Sequence, residues 1–287
     1  MTAILDDDAV PKRASPWRRL LRDPAAVVAL AFLTLVVVAA LAAELVAPFD
    51  PYATNLAATL QPPGDVYWFG TDVQGRDLFS RTLYGIRLTL AMGLVAILTG
   101  GLLGAALGIL AAFSPRLDPW IGRMTDILLS YPSILFGLAL AAVLGAGAVS
   151  VVIALAVSTV PDVTRIARAS AVVVMRQDYM EAGRAIGLPD HVLIWRYLTL
   201  NCISSIFVFL SLRFGQIILL GAGLSFLGLG ARPPAAELGM MAAQGRDFLF
   251  IAPHVATIPS VTIFALVLAF NLLGDALRDV LDPRLSA

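Results

Sequence analysis

The chain has 287 residues, of which 59% are hydrophobic and only 14% charged, and its formal net charge is zero. Soluble domains carry nearer a quarter charged residues, so this composition argues against a soluble enzyme, and without a global basic field it gives no sign of nucleic-acid binding. The single cysteine, Cys202, excludes an internal disulfide and a cysteine-based metal site, while His191 and His254 lie far apart without a carboxylate cluster at ligand spacing and read as surface or interface residues.

Taken in chain order, residues 1–23 are polar, with Asp6, Asp7 and Asp8 followed by Lys12, Arg13, Arg18, Arg19 and Arg22. They read as a tail and a short interfacial helix anchored by Trp17. The apolar run that follows is longer than a signal-peptide core, so an uncleaved first span is expected. Six spans are expected, at about 24–46, 88–113, 124–145, 148–170, 203–228 and 255–275. Only Gly145, Ala146, Gly147 and Ala148 separate the third from the fourth, which requires a tight turn at the membrane surface. In the second span Gly100, Gly104 and Gly108 recur every four residues. Either they form a small-residue face for a second helix, or they reflect the general frequency of glycine in membrane helices.

Orientation follows from the basic residues beside the spans. With the N-terminus inside, the cytoplasm receives the N-terminal cluster, Arg116, Arg123, Arg165, Arg168, Arg176, Arg184, Arg196, Arg278 and Arg284, against Arg76, Arg81, Arg87, Arg232 and Arg246 outside. Both termini are then cytoplasmic and the number of spans is even. The chain divides into the tail at 1–23, a first span with its external segment at 24–87, and a core at 88–287 that holds a cytoplasmic loop at about 171–200.

That loop reads DYMEAGRAIGLPDHVLIWRYLTLN from Asp178. Asp178 is expected to cap a helix, with Glu181 in the first turn favoured by the dipole, and Gly187 with Pro189 to end it. A second helix is expected from Asp190, with Val192, Leu193, Trp195 and Leu198 as its apolar stripe. A short helix of small residues suits a groove in a partner, and equally suits an ordinary loop helix lying on the membrane.

In the external segment, Gly70 and Gly75 permit tight turns around Thr71, Asp72, Arg76 and Asp77, and Asp77 is four residues from Arg81, a spacing that allows an ion pair. This motif reads as structural rather than as a solute site. Arg213 lies in the middle of the fifth span, in FLSLRFGQII, with Gln216 one turn away. A charge at that depth costs roughly 2.5–3.5 kcal/mol on insertion scales and requires a partner or a watery cavity. Two readings stay open: Arg213 with Gln216 lines a translocation path, or Arg213 pairs with an acidic residue of a partner subunit. Asp126 and Asp162 are placed near span boundaries, where arginines are close, and Pro132, Pro161 and Pro259 are candidate kinks.

The loop carrying Glu181, Ala182 and Gly187 resembles the EAA loop of permease subunits of ATP-binding-cassette importers, with Gly183 where a second alanine is usual. Phe69 to Arg81, Leu224 to Pro234 and Asn271 to Pro283 are similar to blocks of the dipeptide C-subunit type in the dipeptide, oligopeptide and nickel family. The resemblance implies an all-α polytopic permease of the type I importer class in the bacterial cytoplasmic membrane. It implies that Asp178, Tyr179, Glu181, Ala182, Gly183, Arg184 and Gly187 form a coupling helix. It also implies four kinds of partner: a second homologous permease, two ATPase subunits, an extracytoplasmic substrate-binding protein and the lipid bilayer. Lys12 is the only lysine and lies between Pro11 and Arg13, so a phosphate-binding loop with its Gly-Lys-Ser/Thr is absent. No cofactor is therefore expected on this chain, and ATP with Mg belongs to the partners. A self-powered secondary transporter or channel is the rival reading; it would need no coupling loop.

Overall fold

The computed structural model describes residues 20–281, and the expected interfacial helix at Trp17 and the helix stop at Asp282-Pro283 lie outside them. The described residues are almost wholly helical. α1 is Pro24–Leu41, started by Asp23, whose carboxylate accepts from the Ala25 amide at 2.9 Å, and followed by a single turn at Ala43–Val46. α2 is Leu78–Phe113, α3 Asp118–Leu129, α4 Ser133–Leu144 and α5 Ala148–Met175. α6 is Asp178–Ala185, α7 the continuous Asp190–Phe226, α8 Leu238–Gly245 and α9 His254–Leu281.

Five of these helices are long and apolar enough to cross a bilayer, and six spans result if the bent pair α3 and α4 counts as one. The third span was expected over 124–145, with Pro132 as a candidate kink. There α3 and α4 meet at 90°. Pro132 has no N–H to give, and its ring disfavours helical geometry at Tyr131. Each half has 12 residues, about 18 Å, too short for a core of about 30 Å.

The second span was expected to begin at 88, but its helix begins ten residues earlier, at Leu78, and has 36 residues. Asp77 sets that start, accepting from the Ser80 amide at 2.8 Å and its hydroxyl at 2.6 Å. The helix expected from Asp190 leads into the fifth span, as the spacing suggested. Together they are one helix of 37 residues, which passes through a π-helical stretch at Leu193–Thr199. The first glycine after Asp190 is Gly215 and no proline intervenes, so nothing in the sequence breaks it.

The core is built on α2 packed along α5, the most extensive helix pair in the fold. Gly100, Gly104 and Gly108 form the contact face. A Cβ on Gly104 would lie 2.7 Å from the Val160 carbonyl oxygen and one on Gly108 2.5 Å from that of Thr164, while one on Gly100 would collide with the Ala156 carbonyl. The small-residue reading of this face is the one the packing supports. α7 lies against α5, α9 and α2, with Ile217, Ile218 and Leu224 buried. α1 packs on α9 and α2, leaving Val28, Leu35 and Val38 exposed on a face suited to lipid.

Candidate functional site

Three places hold the residues singled out in the sequence. At the external end, the segment before α2 folds around one carboxylate. Gly70 and Gly75 have φ of +74° and +69°, the left-handed geometry that glycine adopts without a Cβ clash. Those turns bring Asp72 to accept from the amides of Gln74 and Arg76 at 2.8 and 3.1 Å. Its other oxygen receives Arg76 Nε at 2.6 Å and lies 3.3 Å from Arg81 Nε. Both arginines are 1% exposed, so Asp72 is shared between two buried guanidinium groups and offsets one of their two charges. Arg81 Nη1 donates to the carbonyls of Pro51 at 2.9 Å and Pro234 at 3.4 Å. Thr71 donates to the Ala58 carbonyl and accepts from the Gln61 amide, and His254 Nε2 lies 3.3 Å from the Thr71 carbonyl oxygen.

The expected Asp77–Arg81 pair is therefore not formed. Arg81 pairs with Asp72, while one carboxylate oxygen of Asp77 takes both Ser80 hydrogen bonds at the start of α2. Asp77→Ala removes that start and is expected to lower stability by about 1 kcal/mol, read as a lower thermal midpoint of the detergent-solubilised chain.

The loop at 171–200 holds the second place. Only Arg176 and Gln177 separate α5 from α6. Asp178 was expected to cap the helix, but it is the first helical residue and makes no side-chain cap; Gln177 holds the cap position. Asp178 and Glu181 occupy the first turn and Arg184 the last, the charge order that the helix dipole favours. The end is a Schellman motif: Gly187, at φ +75°, donates its amide to the Arg184 carbonyl and Leu188 donates to that of Gly183, each at 3.0 Å. Met180 is fully buried among Val174, Leu193 and Leu198. Gly183 lies so close to Leu193 that a Cβ would be 2.9 Å from its Cδ2, which gives a packing reason for glycine where alanine is usual. Tyr179, Glu181, Ala182, Arg184 and Ile186 remain exposed on the other side.

The third place is inside the bundle, between α5 and α7. Asp162 is not at a span boundary. It is the fifteenth residue of the 28 in α5, next to Pro161, and faces Arg213 near the centre of α7. Arg213 Nη2 lies 2.6 Å from Asp162 Oδ2, and Nη1 donates to Gln216 Oε1 at 2.7 Å. Sequence reasoning identified Arg213 and Gln216 but misplaced Asp162, because the sequence does not reveal that Asp162 turns toward α7 while Arg165 and Arg168, close by on α5, turn toward α3. A cavity of about 290 Å³ opens onto the pair, walled by Tyr131, Pro132, Ser133 and Phe136 from the bend and by Ser158 and Pro161 from α5. Below it, Asp126 pairs with Arg165 at 2.9 Å and Asp118 with Arg168 at 2.5 Å, tying α3 to α5. Among the described residues there is no cluster of three or more metal-ligating side chains.

This geometry of an all-helical, multi-span chain with an exposed helix between two long spans is that of a transporter subunit, and the comparisons identify which. Residues 104–287 match the family described as binding-protein-dependent transport system inner membrane component, and residues 14–63 match the N-terminal membrane domain of oligopeptide transport permease C. The chain is 42% identical over 275 residues to a glutathione transport system permease protein, GsiD, of Pectobacterium atrosepticum, covering 94% of this chain and 91% of the relative. It is 42% identical over 268 residues to a putative peptide transport system permease protein of Brucella abortus biovar 1, covering 93% and 90%. Its fold matches a chain of the inward-facing MetNI methionine ABC transporter with a TM-score of 0.57 at 20% identity, covering 68% of this chain and 94% of that one. A chain of an amino acid ABC transporter gives 0.53 at 19%, covering 69% and 92%.

The chain belongs to the binding-protein-dependent transport system inner membrane component family. It is a multi-pass permease subunit of a bacterial ABC importer, of the oligopeptide C-subunit type. Family membership implies ATPase partners.

Proposed function

We propose that this permease moves peptides, or a small peptide-like solute such as glutathione, into the cytoplasm. In this reading it pairs with a second homologous permease, stands on two ATPase subunits that bind ATP and Mg, and receives solute from an extracytoplasmic binding protein. The names of the 42%-identical relatives support the substrate class. The observation that carries the coupling role is α6. It is a capped eight-residue helix, fixed to the base of the bundle by Met180 and Gly183, whose opposite face presents Tyr179, Glu181, Ala182 and Arg184. That face is suited to a groove in an ATPase subunit, and nucleotide-driven closure of the ATPase pair would move it as a rigid body. The solute path runs past Arg213 and Gln216, and the motif from Gly70 to Asp77 acts as an external scaffold.

Affinity purification of the chain in mild detergent, with mass spectrometry, tests the assembly. Recovery of a second permease and P-loop ATPases is expected, and recovery of this chain alone, still moving solute without ATP, would overturn it. Coupling is tested by Glu181→Ala and Gly187→Ala. The space around Gly187 is open, so alanine there meets only backbone strain of roughly 1–2 kcal/mol. Membrane insertion is expected to survive in both variants while ATP-driven peptide uptake is lost.

A further inference from the structure

Opposite charges that meet between two long apolar helices of one chain form a closed arrangement, but the Arg213–Asp162 pair is not sealed. Their side chains keep 20% and 27% exposure, and the 290 Å³ cavity at the bend between α3 and α4 opens onto both. A guanidinium has five N–H donors. Arg213 engages Asp162 and Gln216 through its two Nη atoms, while Nε is buried with no acceptor. The remaining polar side chains of the wall, Tyr131, Ser133 and Ser158, are neutral, and among the residues lining the cavity Arg213 and Asp162 are the only charges.

We propose that Arg213 and Asp162 form a charge-complementary station for a zwitterionic solute, the guanidinium taking its terminal carboxylate and Asp162 its terminal ammonium. The proposal rests on the peptide-importer reading above and narrows it, from any small solute to one with both ends ionised. With no solute present the two side chains satisfy each other. A zwitterion entering the cavity exchanges one ion pair for two, so no charge at this depth is left unpaired at either stage. An anion would open the pair and leave Asp162 exposed beside a second carboxylate, and a cation would leave Arg213 alone. Both states are penalised in a low-dielectric wall, so the pair selects by repulsion as well as by attraction. The fork of Arg213 suits the two oxygens of a carboxylate, which its Nη atoms can take once Asp162 turns to the ammonium.

The test uses the full importer in nanodiscs without its binding protein, so that recognition by the permease is read directly. Cys202, the only thiol of this chain and fully buried, is replaced by serine, Ser133→Cys places a reporter on the cavity wall, and label is read on this chain after the subunits are separated. Labelling by a water-soluble maleimide is followed with dialanine, N-acetyl-dialanine or dialanine amide present. Dialanine is expected to slow labelling by about tenfold and the two end-blocked peptides by less than about twofold. Arg213→Gln and Asp162→Asn are each expected to abolish protection. Should either single variant fail to assemble, the exchanged double variant Arg213→Asp/Asp162→Arg keeps both charges and is expected to retain protection by dialanine alone. Equal protection by all three peptides, undiminished protection in Arg213→Gln, or a reporter that never labels would each overturn the proposal. ATP-driven uptake by the complete importer separates this from the reading beneath it. An importer that moves peptides without discriminating their ends in the labelling assay removes the station only, whereas one that moves no peptide removes the substrate class with it.

Discussion

Asp72→Ala is expected to prevent stable folding of the external end, with a loss of about 3–5 kcal/mol. The carboxylate serves two guanidinium groups at once, and both are buried. Alanine leaves Arg76 and Arg81 side by side, desolvated and uncompensated, and also frees the amides of Gln74 and Arg76. Because Arg81 bonds the carbonyls of Pro51 and Pro234, the damage spreads to the segment after α1 and the loop before α8. Asp72→Asn keeps the shape and some of the acceptors but no charge, and its loss is expected to lie between the two. Proteolysis of the external segment in membrane vesicles, with the thermal midpoint in detergent, reads the effect. An Asp72→Ala chain as resistant to protease as the parent would show that the arginines find other acceptors.

Gly104→Leu is the second large effect. The glycine lies against α5, where even a Cβ would be 2.7 Å from the Val160 carbonyl oxygen and 2.8 Å from Val163 Cβ. These atoms are backbone or begin a stiff side chain, so neither can rotate aside. The helices must separate along their main contact, which exceeds the 1–3 kcal/mol typical of overpacking where side chains can adjust. Loss of the monodisperse peak on size exclusion in detergent is the expected result. Gly122→Leu is the control: no atom lies within 4 Å of a Cβ there, and the chain is expected to remain monodisperse.

The spans and the loop helix were legible in the sequence because their signals are local. Apolar length identifies a membrane helix without knowledge of its neighbours, and Gly187-Leu188-Pro189 ends a helix in any context. Three readings failed for reasons that are not local. Asp77 and Arg81 have the spacing of a helical pair, but Asp77 caps α2 and Asp72 arrives from a turn that only Gly70 and Gly75 make possible. Pro132 was visible as a kink, but a 90° bend depends on what fills the space inside it, here a cavity. Asp162 was placed at a boundary because Arg165 and Arg168 follow it closely on the same helix, and only its partner on α7 shows that it turns into the bundle instead.

α5 has 28 residues, about 42 Å of continuous helix, against a hydrocarbon core of about 30 Å. Its last turns therefore stand clear of the bilayer and reach α6 through only Arg176 and Gln177. Such a join behaves as a rigid pushrod rather than a tether. A displacement applied at α6 has no slack in which to dissipate, and the one interruption in the rod is Pro161, immediately beside Asp162. In the proposed coupling, a stroke applied at α6 would be delivered at the level of the Arg213–Asp162 pair, which would place the compliant point of the shaft where the solute would be held.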